Sequence, residues 1–517
     1  MIYKKRVLIL IFLTMLIRLF IANYLELGND EVYYWTYALH LQMNYFDHPP
    51  IIALLLRLTT LNLHFQQEIF LRLGAILGAA AGTWLSYSIG TKIRNERTGW
   101  FAALLYNTCV YSSVIAGLFI LPDSPQVVFW LLCIRLALAF VPQTNKAMPS
   151  LTTWVLWGLC TGLCIMCKVH GIFLWLGAGL YILVYNRQLL MQKGLYLSAI
   201  ITAAVISPIF IWNWQNNFIT WLYHSQRVAV HTISFDKDSF IQAITGQIAY
   251  NNPLNFIVII LAIIYIRKQQ LLSAGITSML LFLSLPIIIT VTAAAMFNSV
   301  LPHWSGPGFI TLQFIAAAYL DVKSTAACVV PKFVKYATGC IMFVISAGFL
   351  FISYYPGTIG SKNKNILGDG DFTLDLYGWQ PMGDSIRNYI NQPAVQPQIP
   401  ANRTIVCNKW YPAAHIDYYI ARTNQMQVIG VGNFTDLHQY VWLNQQRNNL
   451  KLGDSALCIV PSNYMIPMPD TYLPYFSTVR LLHSFQITRE QAAVRYFNLY
   501  LLTGFKNTDE AHTLSVN

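Results

Sequence analysis

The sequence predicts a polytopic α-helical membrane protein with a small α/β domain at its C-terminal end. Of its 517 residues, 56% are hydrophobic and only 10% are charged, and the mean hydropathy is +0.47. Because a soluble globular protein carries about 25% charged residues, this chain lacks the polar side chains that would cover a soluble body of its size. The composition becomes polar near residue 355, which predicts a membrane domain (1–354) followed by a separate domain (355–517).

Apolar runs recur along the first part of the chain. A membrane span needs about 20 residues, with tolerance for tilt, and by that measure we predict about 11 transmembrane helices, of which 254–266 is short. The runs are 7–23, 69–91, 100–118, 124–141, 151–168, 171–186, 195–213, 254–266, 271–293, 306–320 and 337–354. The first run follows Lys4, Lys5 and Arg6 as a secretory signal would, but no small-residue cleavage site comes after it. We therefore interpret it as an uncleaved first helix.

The distribution of basic residues predicts the orientation. With the N-terminus in the cytoplasm, the long external loops hold few basic residues, chiefly Arg57, Arg227 and Lys237, while the cytoplasmic loops hold most of them. The positive-inside rule favours this arrangement. The net charge of +12 therefore reflects topology, and nucleic-acid binding is not expected. The basic residues of the predicted cytoplasmic loops are Lys4, Lys5, Arg6, Lys92, Arg94, Arg97, Lys146, Arg187, Lys193, Arg267, Lys268, Lys323, Lys332 and Lys335.

Several segments are predicted to lie outside the cytoplasm. The first external loop, 24–68, contains amphipathic pieces near 31–43 and 49–61 that resemble helices lying in the membrane interface. Short loops are expected near 118–124, 168–171, 214–253 and 294–305. In the C-terminal domain, β-like runs at 404–407 and 427–429 alternate with a helix-like stretch near 412–421, which is typical of a small α/β fold.

The cysteines leave two questions open. Cys160, Cys164 and Cys167 share one face of a predicted helix, where packing is favoured over a metal site. Cys407 and Cys458 lie in the C-terminal domain and are able to pair if that domain is outside the cytoplasm.

An acidic pair, Asp30 and Glu31, directly follows the first predicted span, and an aromatic run that includes Tyr34 comes next. Acidic residues held near a membrane are costly and tend to be functional. The alternative is that both are solvated surface acids beside an aromatic belt. Spacing alone does not separate these interpretations.

The first external loop continues with Asp47 and His48, directly before Pro49 and Pro50. Two prolines stop a helix and fix the backbone. This arrangement predicts a rigid backbone segment that holds the His48 side chain toward an anionic group. The alternative is a plain turn without a binding function.

Charged residues also mark two further external positions. Asp123 stands at the outer end of a predicted span, where capping of the next helix is the alternative to a chemical role. Lys168 and His170 lie in a tight turn between two apolar helices. A buried lysine there needs an anionic partner, for which a lipid phosphate, Asp30 and Asp123 are the candidates.

His303 and Trp304 follow a proline in a later external loop and add an imidazole and an aromatic ring. Interfacial anchoring is the favoured interpretation for this pair. Contact with substrate is the alternative.

In these motifs the chain resembles the bacterial glycosyltransferases that are related to the dolichyl-phosphate-mannose protein mannosyltransferases and the lipid A aminoarabinose transferases. That family has the membrane fold called GT-C. The motifs occur in the family's order over about residues 1–380. They are Asn29-Asp30-Glu31-Val32-Tyr33-Tyr34-Trp35, Tyr45 to Pro50, Leu121-Pro122-Asp123-Ser124-Pro125, Lys168-Val169-His170-Gly171, Pro302-His303-Trp304 and Asp375-Leu376-Tyr377-Gly378-Trp379.

The resemblance implies roles for individual residues. Asp30 corresponds to the family's catalytic acid in the first external loop, with Glu31 beside it, and Lys168 to the cation that meets the carrier phosphate. His48 stands where the aminoarabinose transferases carry a lysine before the proline pair, so the donor sugar is left open. Beyond Trp379 the match is loose, which leaves the acceptor open as well.

The resemblance also implies a reaction. Asp30 would take the proton from an acceptor hydroxyl, which then displaces the lipid phosphate at the anomeric carbon with inversion; general base catalysis of this kind contributes about 10²–10⁴-fold. Lys168, His48 and His170 would stabilise the leaving phosphate. Glu31 and Asp123 are expected to orient the acceptor or the cations. The residues with a possible role in substrate binding are Asp47, Tyr34, His303 and Trp304.

The expected setting is the bacterial inner membrane, with the active site and the C-terminal domain in the periplasm. The expected partners are a polyprenyl-phosphate-linked sugar, the bilayer and an envelope acceptor such as lipid A, a glycan or a protein, and the chain is expected to be a monomer. No cofactor is predicted. A divalent metal stays open, since no residue spacing supports a ligand set.

Two other functions fit parts of the sequence. A transporter or flippase of a lipid-linked sugar would share the phosphate contacts, but it would more often show mid-membrane charges and repeated halves. An inactive relative that acts as an envelope scaffold is the other alternative. The presence of Asp30 favours the enzyme over both.

Overall fold

The computed structural model describes residues 2–142, 148–228, 234–324 and 329–506. The chain forms two compact units, and the division falls inside its first and its fifteenth helix. The first unit comprises Met1–Phe20 and Leu41–Ile345, and the second comprises Ile21–His40 and Ser346–Asn517. Lys146, which contributes to the predicted charge pattern, lies outside the described residues.

The first unit is helical. Its long helices are hydrophobic along most of their length, and only part of that surface is covered by neighbouring helices, as for the last of them, whose most apolar stretch is 11% buried. Helices that are hydrophobic all round are typical of membrane spans. The helices assigned wholly or in part to this unit are α1 (Ile2–Tyr24), α3 (Ile51–Thr59), α4 (Glu68–Ile93), α5 (Glu96–Thr108), α6 (Asp123–Ala137), α7 (Leu151–Cys167), α8 (Ile172–Tyr185), α9 (Lys193–Gln215), α10 (Ile219–Val228), α11 (Lys237–Tyr250), α12 (Pro253–Ile266), α13 (Ala274–Ala294), α14 (Gly306–Lys323) and α15 (Lys332–Tyr354). Between α1 and α3 the chain forms α2 (Asn29–Leu39), which belongs to the second unit.

The helical character of the predicted apolar runs is confirmed. Within the described residues, five helices are individually long and apolar enough to cross a membrane, and a sixth span results if α11 and α12, which meet at a 95° bend, are counted together. Others, such as α7 and α8, are shorter apolar helices. The number of spans therefore stays a prediction, whereas the multi-helix membrane class follows from the length and composition of these helices.

The segment 214–253 is not the plain loop that the sequence predicted. It contains the helices α10 and α11, and the bend before α12 lies at Asn252, whose backbone has a positive φ of 63° and whose side chain accepts a hydrogen bond from the Leu254 backbone. The prediction missed these helices because their polar faces removed them from the search for continuous apolar runs.

The first predicted span contains a charge that the sequence pattern did not single out. Arg18 of α1 is buried and donates hydrogen bonds to the Ser113 carbonyl and hydroxyl and to the Asn107 side chain. Ser113 lies in a π-helical turn, Tyr111–Ile115, which follows the end of α5. A π-helical turn departs from the regular α-helical hydrogen-bond pattern, and the Ser113 carbonyl of this turn accepts a hydrogen bond from Nε of the buried guanidinium.

The second unit contains a five-stranded mixed sheet with flanking helices, in agreement with the α/β character predicted for the C-terminal part. Its sheet has the strand order β2-β1-β3-β5-β4, with β1 parallel to β2 and β3, and β5 antiparallel to β3 and β4. The strands are β1 (Thr404–Cys407), β2 (Gln427–Gly430), β3 (Ala456–Pro461), β4 (Phe476–Arg489) and β5 (Ala492–Phe505). Its helices are α16 (Trp379–Ile390), α17 (Trp410–Ile416), α18 (Phe434–Leu437) and α19 (Tyr440–Asn444). The two short strands and α17 match the predicted runs, but the long β4–β5 hairpin was not predicted.

The sequence led us to expect that the whole first external loop belongs to the membrane domain. In the structure, the loop is divided between the two units. Residues 21–40 group with the C-terminal residues, and 41–68 group with the first unit. Glu26 accepts hydrogen bonds from the backbone N–H groups of Trp379 (2.7 Å) and Gln380 (3.1 Å), and so caps the start of α16. The Leu27 N–H donates to the Tyr419 hydroxyl. These contacts fix the segment before α2 to the second unit.

The cysteine questions have a plain structural answer. Cys407 and Cys458 are buried on neighbouring parallel strands and are both unpaired, so the open possibility of a disulfide is not realised. Cys160, Cys164 and Cys167 are unpaired thiols of α7. Cys164 and Cys167 are buried, and Cys164 belongs to the hydrophobic core, which agrees with packing.

Candidate active site

The first unit holds a buried ion pair at the ends of two adjoining helices. α6 begins at Asp123, and α7 ends at Cys167, after which Lys168 adopts an extended backbone. The Lys168 Nζ lies 2.8 Å from Asp123 Oδ2, and both side chains are 5% exposed or less. The Tyr111 hydroxyl donates to the other carboxylate oxygen, Asp123 Oδ1, at 2.8 Å. Both oxygens of this acid are therefore engaged.

The turn after Lys168 is tight because Gly171 allows it. A Cβ atom at Gly171 would lie 2.6 Å from the Ile165 backbone nitrogen, closer than any side chain tolerates. Gln126 of α6 donates to the Lys168 carbonyl, which adds a backbone contact to the ion pair. The sequence Lys168-Val169-His170-Gly171 therefore forms a compact 3₁₀ turn between α7 and α8.

These contacts decide between two interpretations of Asp123. Capping of α6 is wrong, because the cap residue is Pro122 and the helix has no side-chain capping bond. The anionic partner of Lys168 in the structure is Asp123, one of the candidates that the sequence left open. A buried pair of this kind is costly to desolvate and weak evidence for stability, which favours a functional reason for its presence.

A second polar group comes from the first external loop and from α10. The His224 ring nitrogen Nε2 lies 2.8 Å from the Asp47 carbonyl oxygen, and the His224 ring centre lies 6.3 Å from that of His48. The His48 carbonyl accepts a hydrogen bond from the Tyr45 N–H, which closes the turn before the two prolines. The side chain of His224 was missed by the sequence interpretation, since a single histidine in a polar segment carries no signal by itself.

The imidazoles near Lys168 are held in the neutral form. Burial, together with the positive charge of Lys168, lowers the pKa of His48 to about 4, although Asp47 and Asp123 act in the opposite direction. Burial and Lys168 also lower the pKa of His303 to about 4 and that of His170 well below 6.5. Among the phosphate-binding candidates, the cationic side chain is therefore that of Lys168, which is ion-paired with Asp123.

His170 and His303 are each packed against an aromatic ring. The ring centres of His170 and Trp304 are 5.3 Å apart, and those of His303 and Tyr250 are 5.8 Å apart. All four side chains belong to the first unit. The structure thus places His48, His170 and His303 near the charges of Asp123 and Lys168, with Trp304 against His170; we call these six residues the lysine cluster.

The other predicted residues belong to the second unit. Asp30 is exposed near the start of α2, whereas Glu31 is 2% exposed and accepts a hydrogen bond from the Gly28 N–H through Oε2. This bond is one half of a capping box, which gives Glu31 a structural function at the helix start. Tyr34 is buried, with its ring near those of Tyr33 and Tyr37.

Metal ligation has no support in the described residues, which contain no group of three or more His, Cys, Asp or Glu side chains placed to hold an ion. The lysine cluster contains one cation, Lys168, an acid that orients it, Asp123, and several neutral imidazoles that can donate N–H groups. Such a set suits an oxyanion, because preorganised donors in a water-poor site stabilise negative charge strongly.

The chain is similar to known proteins in both sequence and fold. A sequence profile of the family described as dolichyl-phosphate-mannose-protein mannosyltransferase matches residues 47–212, which include His48, Asp123, Lys168 and His170. The lipid A galacturonosyltransferase RgtD from Rhizobium johnstonii is 22% identical over 296 residues. That match covers 57% of this chain and 60% of the relative.

Two crystal structures have a similar fold over nearly the whole chain. ArnT from Cupriavidus metallidurans in the apo state superimposes with a TM-score of 0.57 at 14% identity, covering 97% of this chain and 98% of ArnT. The same protein bound to undecaprenyl phosphate gives a TM-score of 0.60 at 16% identity, covering 95% and 97%. At this level of identity the likeness establishes the fold.

Proposed function

Because the chain belongs to the GT-C group of membrane glycosyltransferases, we propose that it transfers a sugar from a polyprenyl-phosphate carrier to an acceptor of the cell envelope. The reaction takes place at the periplasmic face of the bacterial inner membrane. The observation that carries the proposal is the buried Asp123–Lys168 pair, which presents a single cation among neutral imidazoles inside the segment matched by the family profile.

The lysine cluster is suited to the phosphate of the donor. A sugar phosphate needs charge stabilisation as it leaves and no proton from a second acid. Lys168 supplies the positive charge, and Asp123 with Tyr111 keeps the ammonium group in place. His48 and His170 start neutral and donate N–H groups; a bound phosphate shifts them toward the charged form, because an adjacent anion raises the pKa of an imidazole.

Asp30 is the proposed base. It lies in an exposed position on the first turn of α2, where we propose that its carboxylate meets a hydroxyl of the acceptor. It takes that proton as the acceptor oxygen bonds to the anomeric carbon and the carbon–phosphate oxygen bond breaks, with inversion. Glu31 and Asp123 keep orienting functions, and Asp47, Tyr34, His303 and Trp304 remain proposed substrate contacts.

The relatives suggest which substrates to try first. One is a lipid A galacturonosyltransferase, and another was crystallised with undecaprenyl phosphate. We propose an undecaprenyl-type carrier as donor and lipid A as the first acceptor, with other envelope glycans and protein hydroxyls next. The enzyme is proposed to act as a monomer.

The test is transfer of radiolabelled sugar from a panel of polyprenyl-phosphate sugars by the purified protein in envelope lipids. Asp30→Asn should lower turnover by at least about 10²-fold, while Asp384→Asn, which alters a half-exposed acid of α16, should leave it unchanged. Full activity of Asp30→Asn would remove the base assignment. The same assay with a chelator decides whether a divalent metal is needed.

Transfer from no donor, with donor binding intact in the wild type and in Asp30→Asn, would contradict the enzyme proposal. That result would favour a transporter or a scaffold. Loss of donor binding in Lys168→Met, with binding retained in Asp30→Asn, is the pattern expected if the two residues act on phosphate and acceptor respectively.

A further inference from the structure

The residue directly before Asp30 is held by side chains from distant parts of the second unit. Asn29 is the first residue of α2. Its Nδ2 donates to the Tyr464 hydroxyl (3.3 Å), and its Oδ1 lies 2.8 Å from His415 Nε2. Tyr464 in turn donates to Asp375 Oδ1 at 2.5 Å. Four side chains therefore form one chain of hydrogen bonds, which we call the Asn29 clamp.

The chemistry of the four groups fixes the direction of every bond. The Asp375 carboxylate accepts only, so it uses the single proton of the Tyr464 hydroxyl. The hydroxyl must then accept from Asn29, which places the amide Nδ2 toward Tyr464 and Oδ1 toward His415. An amide oxygen also accepts only, so His415 must carry its proton on Nε2. With Asp375 ionised, this is the assignment that satisfies all three contacts.

The surroundings of His415 keep its imidazole neutral and in a fixed orientation. Its ring is fully buried and stacks on Trp379, with ring centres 4.0 Å apart and planes inclined by 3°. The Arg495 guanidinium lies 4.3 Å from the Trp379 ring centre, on the same stack. Burial and the charge of Arg495 lower the pKa of His415, so the imidazole stays neutral and holds its one proton on the donor nitrogen.

We propose that His415 and Tyr464 are positioning residues that set the orientation of Asp30 by fixing Asn29 at the start of α2. The inference rests on the proposed function, because it assigns catalytic value to Asp30. The clamp reaches α2 through the side chain adjacent to the base, and Glu31 completes the same helical turn through its bond to Gly28. A base that must meet an acceptor hydroxyl within hydrogen-bond distance loses rate when its helix shifts.

Two substitutions of His415 separate hydrogen bonding from ring packing. His415→Gln retains a donor near the Nε2 position but loses the stacked ring, whereas His415→Phe retains a ring against Trp379 but loses the donor. We expect kcat to fall about 10–100-fold in His415→Phe and in Tyr464→Phe, with the KM for the lipid donor unchanged. His415→Gln should stay within a few-fold of the wild type.

A matched control is Tyr440→Phe. Tyr440 is buried in the same unit and donates to Asp417, so the variant breaks a tyrosine–aspartate bond of the same kind that involves neither Asn29 nor His415. Amide hydrogen exchange of residues 28–34 gives a second readout that does not depend on turnover. Exchange should become faster in His415→Phe and Tyr464→Phe and stay as in the wild type in Tyr440→Phe.

The outcomes are distinguishable from those of the proposed function. Wild-type kcat and exchange in His415→Phe would overturn the clamp, and a loss in His415→Gln that is larger than the loss in His415→Phe would assign His415 to packing. If the wild-type protein transfers no sugar at all, the proposed function fails and the catalytic part of this inference fails with it. Hydrogen exchange then still decides whether the side chains hold α2.

Discussion

The lysine cluster of the first unit and the Asn29 clamp of the second unit are built on opposite principles. The cluster neutralises a buried cation with a buried acid, Asp123 with Lys168, 45 positions apart in the chain. The clamp holds a neutral amide, Asn29, with partners 386 and 435 positions away. The cluster holds a charged group that can bind a ligand, whereas the clamp fixes the position of a helix. The loss of one member should therefore affect stability more in the cluster than in the clamp.

The largest effect is expected for the ion pair of the lysine cluster. Lys168→Met leaves Asp123 buried without its cation, which should lower the free energy of unfolding by about 3–5 kcal/mol. The double variant Asp123→Leu with Lys168→Met removes both charges and should recover most of that stability without recovering sugar transfer. Chemical unfolding in detergent micelles measures both. A single variant as stable as the wild type would show that the acid is neutralised another way.

The next effect tests the second contact of the same acid. Tyr111→Phe removes the hydroxyl that donates to Asp123 Oδ1, and a hydrogen bond to a charged group contributes about 1.5–3 kcal/mol. Unfolding free energies for this variant should be lower by that amount. Tyr185→Phe, at a tyrosine that is 49% exposed, serves as the control and should change little.

A smaller effect is expected at the start of α16 in the second unit. Glu26→Ala removes the acceptor for the Trp379 and Gln380 N–H groups and should cost about 1 kcal/mol, as for the loss of other helix caps. Glu26→Gln keeps one acceptor oxygen and should cost less. Thermal unfolding of the two variants gives the comparison, and equal losses would assign the effect to charge instead of capping.

The last prediction concerns pH. The pKa of His48 is lowered from 6.5 to about 4 by burial, so on acidification the unfolded chain binds this proton first. Stability should therefore fall as the pH drops from about 6.5 to 4 and change no further through this group below that window. His48→Gln should reduce the fall, and His64→Gln, at an exposed histidine, should not. Melting temperatures across the window test the sign; an equal fall in all three proteins would contradict it.

Sequence patterns located the separate pieces of the site but not their partners. The turn at Lys168 and the acid at Asp123 were both recognised, and the requirement for an anionic partner was correct. Which anion fills that requirement depended on how α6 and α7 pack. Tyr111 and His224 were missed because a lone tyrosine in a span and a lone histidine in a polar helix look like ordinary packing and surface residues.

By itself the sequence determined the membrane class, the helical runs and the α/β character of the C-terminal part, because hydrophobicity and periodicity act over a few neighbouring residues. Only the tertiary structure decided that residues 21–40 group with the C-terminal unit, that Asp123 meets Lys168, and that His415 and Tyr464 hold Asn29. These pairings join residues that are distant in the chain, and their specificity comes from burial and from hydrogen-bond geometry that exist only after the chain has folded.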